Sequence, residues 1–87
     1  MTFSSKKAQE IYERMKIRGK INYSIGLAEK TFMTESNPSQ PGQKWNYDTL
    51  GLRAELKRQL ASSVNDAEDK DWDEIAKWLF DLATLAR

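Results

Sequence analysis

The chain has 87 residues, with 14 Lys+Arg, 13 Asp+Glu, no His and no Cys, for a formal net charge of +1. The missing residue types exclude a Ser-His-Asp triad, a thiol nucleophile, an ordinary zinc or haem site and a disulfide framework. The length allows one domain, whose stability must come from a small core or from a partner.

Residues 5–17 have the pattern of an amphipathic helix. Ala8, Ile11, Tyr12 and Met15 recur at the spacing of one helical face, and Ser4 or Ser5 can cap its start. A second stripe, Ile17, Ile21, Ile25, Ala28 and Phe32, is rotated from the first, with Gly19 at the changeover and Gly26 a second weak point. The expectation is a first helix that is long, or kinked near Gly19. Residues 34–46 read as a loop that contains both prolines, with Pro41-Gly42 as its turn and Lys44, Trp45 and Tyr47 at its exit. Residues 48–63 read as a helix capped by Asp48, with Leu52, Leu56 and Leu60 on one side. Residues 64–70 form an acidic connection.

The last helix is expected over 71–86. Trp72, Ile75, Ala76, Leu79, Leu82, Ala83 and Ala86 make its stripe, and Asp71 with Glu74 has the form of a capping box. Trp78, Phe80 and Leu85 lie off that stripe, so the helix is apolar on more than one side. No strand-like alternation stands out. The expected fold is all-α, a small antiparallel bundle of three to four helices in a single domain. No apolar run is long enough to span a membrane. No secretory leader is visible at the N-terminus, so the cytoplasm is the expected location.

The near-neutral total conceals an asymmetry. Residues 1–58 hold 11 Lys/Arg and 6 Asp/Glu, a balance of +5, and residues 59–87 hold 3 and 7, a balance of −4. An electropositive body suits a polyanionic partner. The alternative is that the two charged regions pair with each other within the fold.

Catalysis and metal binding find little footing. The acidic cluster from Asp66 to Glu74 sits where a helix begins, and capping accounts for it. Counted from Asp66 as a calcium loop, it lacks the central Gly and has Lys77 at the final ligand position. The glycines are too scattered for a phosphate loop. No enzyme activity, cofactor or metal is expected.

Contact with nucleic-acid backbone is better motivated. Lys7, Arg14 and Arg18 fall near one side of the first helix, Lys6 and Lys20 flank them, and Arg53, Lys57 and Arg58 make the third helix basic. Tyr12, Tyr23, Trp45 and Tyr47 could stack on unpaired bases if exposed. No base-reading motif accompanies them. Protein contact is the competing use of the surface, with Trp45, Tyr47, Trp78, Phe80 and Leu85 as candidate anchors.

Two stretches carry a family resemblance. Lys7-Ala8-Gln9-Glu10-Ile11-Tyr12-Glu13-Arg14-Met15-Lys16 resembles the opening of small helical subunits of CRISPR effector complexes. Trp72-Asp73-Glu74-Ile75-Ala76-Lys77-Trp78-Leu79 is similar to their closing helix. The resemblance implies a non-catalytic bundle with a role in antiviral defence. Copies would stack along a filament and hold guide–target duplex or displaced strand on basic faces. The sequence thus leads to two expectations. One is a non-catalytic subunit of a nucleoprotein assembly, binding RNA or DNA backbone and neighbouring protein, with self-association open to it. The other is a helical adaptor or inhibitor of a single protein partner.

Overall fold

The computed structural model describes residues 3–35 and 45–85. In chain order these form α1 (Lys6–Ile17), α2 (Ile21–Thr31), β1 (Met33–Glu35), β2 (Trp45–Tyr47), α3 (Thr49–Leu60) and α4 (Asp69–Leu85). The protein is mostly helical, as its patterning implies.

α1 starts at Ser5, whose hydroxyl accepts from the backbone N–H groups of Lys7 and Ala8 at 3.2 and 3.3 Å. Its face of Ala8, Ile11 and Met15 is fully buried. At Gly19 the structure goes beyond the expected kink: the helix ends and a second one starts at Ile21. Gly19 adopts φ +66°, a left-handed conformation that side chains with a Cβ resist. Its N–H donates to Lys16 O at 3.1 Å and that of Lys20 to Met15 O at 2.9 Å. These two bonds make a Schellman ending, which satisfies the last carbonyls of α1. Ile17, counted in the second stripe, falls before the break and is 74% exposed. The rest of that stripe does turn inward: Ala28 is buried, and Ile21, Ile25 and Phe32 pack against the core.

α2 leads into a pair of strands absent from the sequence-based expectation. β1 and β2 are antiparallel, with Met33 opposite Tyr47, Thr34 opposite Asn46 and Glu35 opposite Trp45. At three residues each they are too short to show an alternating pattern, although Trp and Tyr favour strands. Residues 36–44 of the expected loop, including Pro41-Gly42 and Lys44, lie outside the described residues.

α3 begins at Asp48, whose carboxylate accepts from Gly51 N–H at 2.9 Å. A Cβ on Gly51 would meet the Asp48 carboxylate at 2.5 Å and the Phe32 ring at 2.8 Å, so this turn of α3 needs the bare backbone. Leu52, Leu56 and Leu60 are buried as their spacing implies.

α4 starts earlier than its pattern suggests, and this corrects the role of Asp71. Asp71 is not the cap but the third residue of the helix. Its carboxylate reaches back to accept from Glu68 N–H at 2.8 Å. The same carboxylate accepts from the Ser5 hydroxyl. Glu74, expected as the partner of Asp71, instead takes the backbone N–H and hydroxyl of Ser4, both at 2.7 Å. The two carboxylates therefore anchor the residues at the start of α1, and the Ser5 hydroxyl does the capping.

These contacts set the packing directions. Ser5 meets Asp71 and Tyr12 meets Trp78, so α1 and α4 run the same way. Arg53 meets Asp73 and Lys57 meets Asp69, so α3 opposes α4. The expected antiparallel relation thus holds for α3 and α4 but not for α1 and α4. Trp72, Ile75, Ala76, Leu79 and Ala83 of α4 are buried among side chains of α1, α2 and α3.

Candidate nucleic-acid interface

The charge asymmetry resolves first into helix ends. Basic residues occupy the last turns of α1 (Arg14, Lys16), α2 (Lys30) and α3 (Lys57, Arg58), and Asp69 and Asp71 occupy the first turn of α4. Each sign complements the local helix dipole. Much of the body's positive balance and the end's negative balance therefore has a structural origin.

Intramolecular pairing absorbs further cations. Arg53 lies 3.4 Å from Asp73, Lys57 lies 3.9 Å from Asp69, and Asp73 also meets Lys77 at 3.5 Å. Lys7 pairs with Glu10 at 3.1 Å. Arg58 is held by Glu55 on its own helix, and this bond, with a second from Gln59, keeps the Glu55 carboxyl below its ordinary value. The basic face expected on α3 is thus largely turned toward carboxylates. Such exposed pairs contribute little to stability, typically below about 1 kcal/mol each.

What remains gathers at the α1–α2 junction. Lys6, Arg14 and Arg18 are exposed and have no carboxylate partner among the described residues. Lys6 stands apart at the other end of α1. Arg18 and Lys20 flank Gly19. Lys20 holds the cap position of α2 without a side-chain capping bond. A cation there works against the positive end of the helix dipole, so dipole complementarity does not explain it. Its ammonium lies 4.9 Å from the centroid of the Tyr23 ring, and that residue is 50% exposed. The Arg58 guanidinium, by contrast, is engaged on its own helix, and the Glu55 bond raises it above its ordinary value. Tyr23 therefore carries one of the sequence-predicted cations, Lys20, over an exposed ring.

Beside Tyr23 an open groove of about 370 Å³ runs along α2, lined by Asn22, Gly26, Leu27, Lys30 and Thr31 with the tyrosine itself. Lys30 and Asn22 were not among the expected contact residues. Their signal was available, because Tyr23, Gly26 and Lys30 step by three and four along one helical face. Gly26, read from sequence as a weak point, is an open stretch where an added Cβ meets nothing within 4 Å.

The expected protein anchors divide. Phe80 is 3% exposed and belongs to the core, which corrects its assignment to a partner surface: the Tyr47 ring packs on it at 5.1 Å. Trp78 is half-buried, with the Phe3 ring at 5.5 Å and the Tyr12 ring at 5.2 Å, so the chain itself covers Trp78 and Phe80 of the second apolar side of α4. Tyr12 is thereby a packing residue, with Lys16 over its ring at 5.2 Å. Tyr47 is 45% exposed and Leu85 82% exposed. Trp45 is placed in β2 by its backbone, and its side chain lies outside what is described. Among the described residues no group of acidic side chains is arranged to hold a metal ion, and no helix is long and apolar enough to cross a membrane.

No family model, curated protein or solved structure matches the chain.

Proposed function

We propose that this protein is a non-catalytic helical subunit of a nucleoprotein assembly, and that it holds nucleic-acid backbone at the α1–α2 junction. The observation that carries the reading is Lys20 lying over exposed Tyr23, with Arg14 and Arg18 just before it in the chain exposed and unpaired among the described residues. Phosphate contact needs cations on firm elements, without base-specific geometry. Arg14 and Arg18 stand on and just beyond the last turn of α1, and the Schellman bonds fix the turn between Arg18 and Lys20. The basic face is smaller than the sequence implies, since Lys7, Arg53, Lys57 and Arg58 are paired within the fold.

A second reading is a protein adaptor, and the exposure of Leu50 at 65% and of Leu85 at 82% favours it. Fluorescence anisotropy with labelled RNA and DNA separates the two. Lys20→Glu with Arg18→Glu lowers affinity at least tenfold on the proposed reading, with the far-UV spectrum unchanged. Equal affinity of that variant and the wild type would favour the adaptor.

A further inference from the structure

The groove on α2 bears on which form of nucleic acid the junction takes. Its lining combines an exposed aromatic ring, a carboxamide, a hydroxyl and an ammonium over a glycine floor: Tyr23, Asn22, Thr31, Lys30 and Gly26. Lys20 lies one turn before Tyr23, Asn22 lies beside it in the chain, and Gly26, Leu27, Lys30 and Thr31 lie one and two turns after it. The ring stands between a cation and an open space of about 370 Å³. That space falls within the range of about 300–1,000 Å³ typical of small-ligand sites. A duplex keeps its bases stacked and offers such a groove only phosphate and sugar. An unpaired base offers a flat face for the ring, and its edge is within reach of amide and hydroxyl groups.

We infer that the α2 groove is a base-stacking subsite, in which one unpaired nucleobase lies against Tyr23 while Lys20, Lys30 and Arg18 hold the flanking phosphates. The inference rests on the proposed nucleic-acid role and specifies single-stranded over duplex substrate. Positive charge on both sides of the ring favours a polyanion as the occupant, and the absence of a side chain at Gly26 gives a planar group room to enter.

Two variants of the full chain test it. Tyr23→Ala removes the stacking ring from an exposed position. Gly26→Leu fills the groove, meets no neighbouring atom at its Cβ, and replaces Gly by a better helix former. An unchanged far-UV spectrum and melting temperature separate loss of binding in either variant from loss of the fold. Affinities are measured for a homopyrimidine single strand and for a duplex of equal length, at one ionic strength. Both variants are expected to weaken single-strand binding by roughly five- to a hundredfold, the worth of one stacked base, and to leave duplex binding within twofold. Equal effects on both polymers, or none on either, would overturn the subsite while the wild type's binding still upholds the nucleic-acid role. Failure of the wild type to bind either polymer overturns both. Competition by polyglutamate that Gly26→Leu abolishes would assign the groove to an acidic peptide instead.

Discussion

Ser5 donates its hydroxyl to the Asp71 carboxylate, so the residue that caps α1 is bonded to the residue that closes the first turn of α4. One interaction between residues 66 positions apart in the chain thus ties two helix starts together. Burial alone would push the Asp71 carboxyl up. The Ser5 hydroxyl, the Glu68 N–H and the charges of Lys70 and Lys7 outweigh it and hold the group below its ordinary value. Asp71 therefore contributes stability above the unfolded value of about 3.9, and the contribution is lost as pH falls through the lower folded value. Asp71→Asn is expected to lower stability by about 1–3 kcal/mol at neutral pH and to flatten the acid limb of a Tm–pH profile. An unchanged acid limb would remove Asp71 from this role.

Ser5→Ala should cost about 1–2 kcal/mol through the lost cap. Combined with Asp71→Asn it should cost less than the sum, because each change breaks the same bond. A double-mutant cycle from denaturant melts reads the difference, and strict additivity would contradict the shared bond.

The Trp78 ring carries two opposing effects. It makes edge contacts with Phe3 and Tyr12, yet its indole Nε1 is buried without a hydrogen-bond partner among the described residues. Trp78→Ala is expected to cost about 3 kcal/mol. Trp78→Phe should cost less than about 1 kcal/mol, since it keeps an aromatic ring and removes the unpaired donor. Chemical denaturation of both variants ranks them, and equal losses would mean that the indole N–H is bonded in solution.

Two backbone sites are expected to respond in opposite directions. Gly51→Ala sets a methyl group against the Asp48 carboxylate and the Phe32 ring, and should cost about 1–3 kcal/mol. Asp66 adopts φ +64° between α3 and α4, and Asp66→Gly should gain up to about 1 kcal/mol. Thermal melts of the two variants check both signs.

Features that depend on neighbours in sequence were legible from the chain. Leu52, Leu56 and Leu60 are buried because a repeat of four keeps them on one side, and Gly19 ends α1 where the apolar stripe rotates. What escaped depends on distant partners. Asp71 and Glu74 resemble a self-contained capping box, but Ser4 and Ser5 recruit both carboxylates from the other end of the chain. Phe80 and Trp78 look like an unused apolar side of α4 until Tyr47, Phe3 and Tyr12 cover them. The charge asymmetry was plain, but not its division. Arg53 and Lys57 meet carboxylates of α4 and Arg58 meets Glu55 of its own helix, whereas Lys20 lies over Tyr23.

The salt dependence of binding tests the central claim most directly. Each phosphate contact to duplex DNA contributes about 0.9 to the slope of log K against log salt, and to a single strand about 0.7. Replacing both Arg14 and Arg18 by Gln is expected to reduce that slope by about 1.4 on a single strand, with the helical spectrum retained. An unchanged slope and affinity would contradict a nucleic-acid role for the α1–α2 junction.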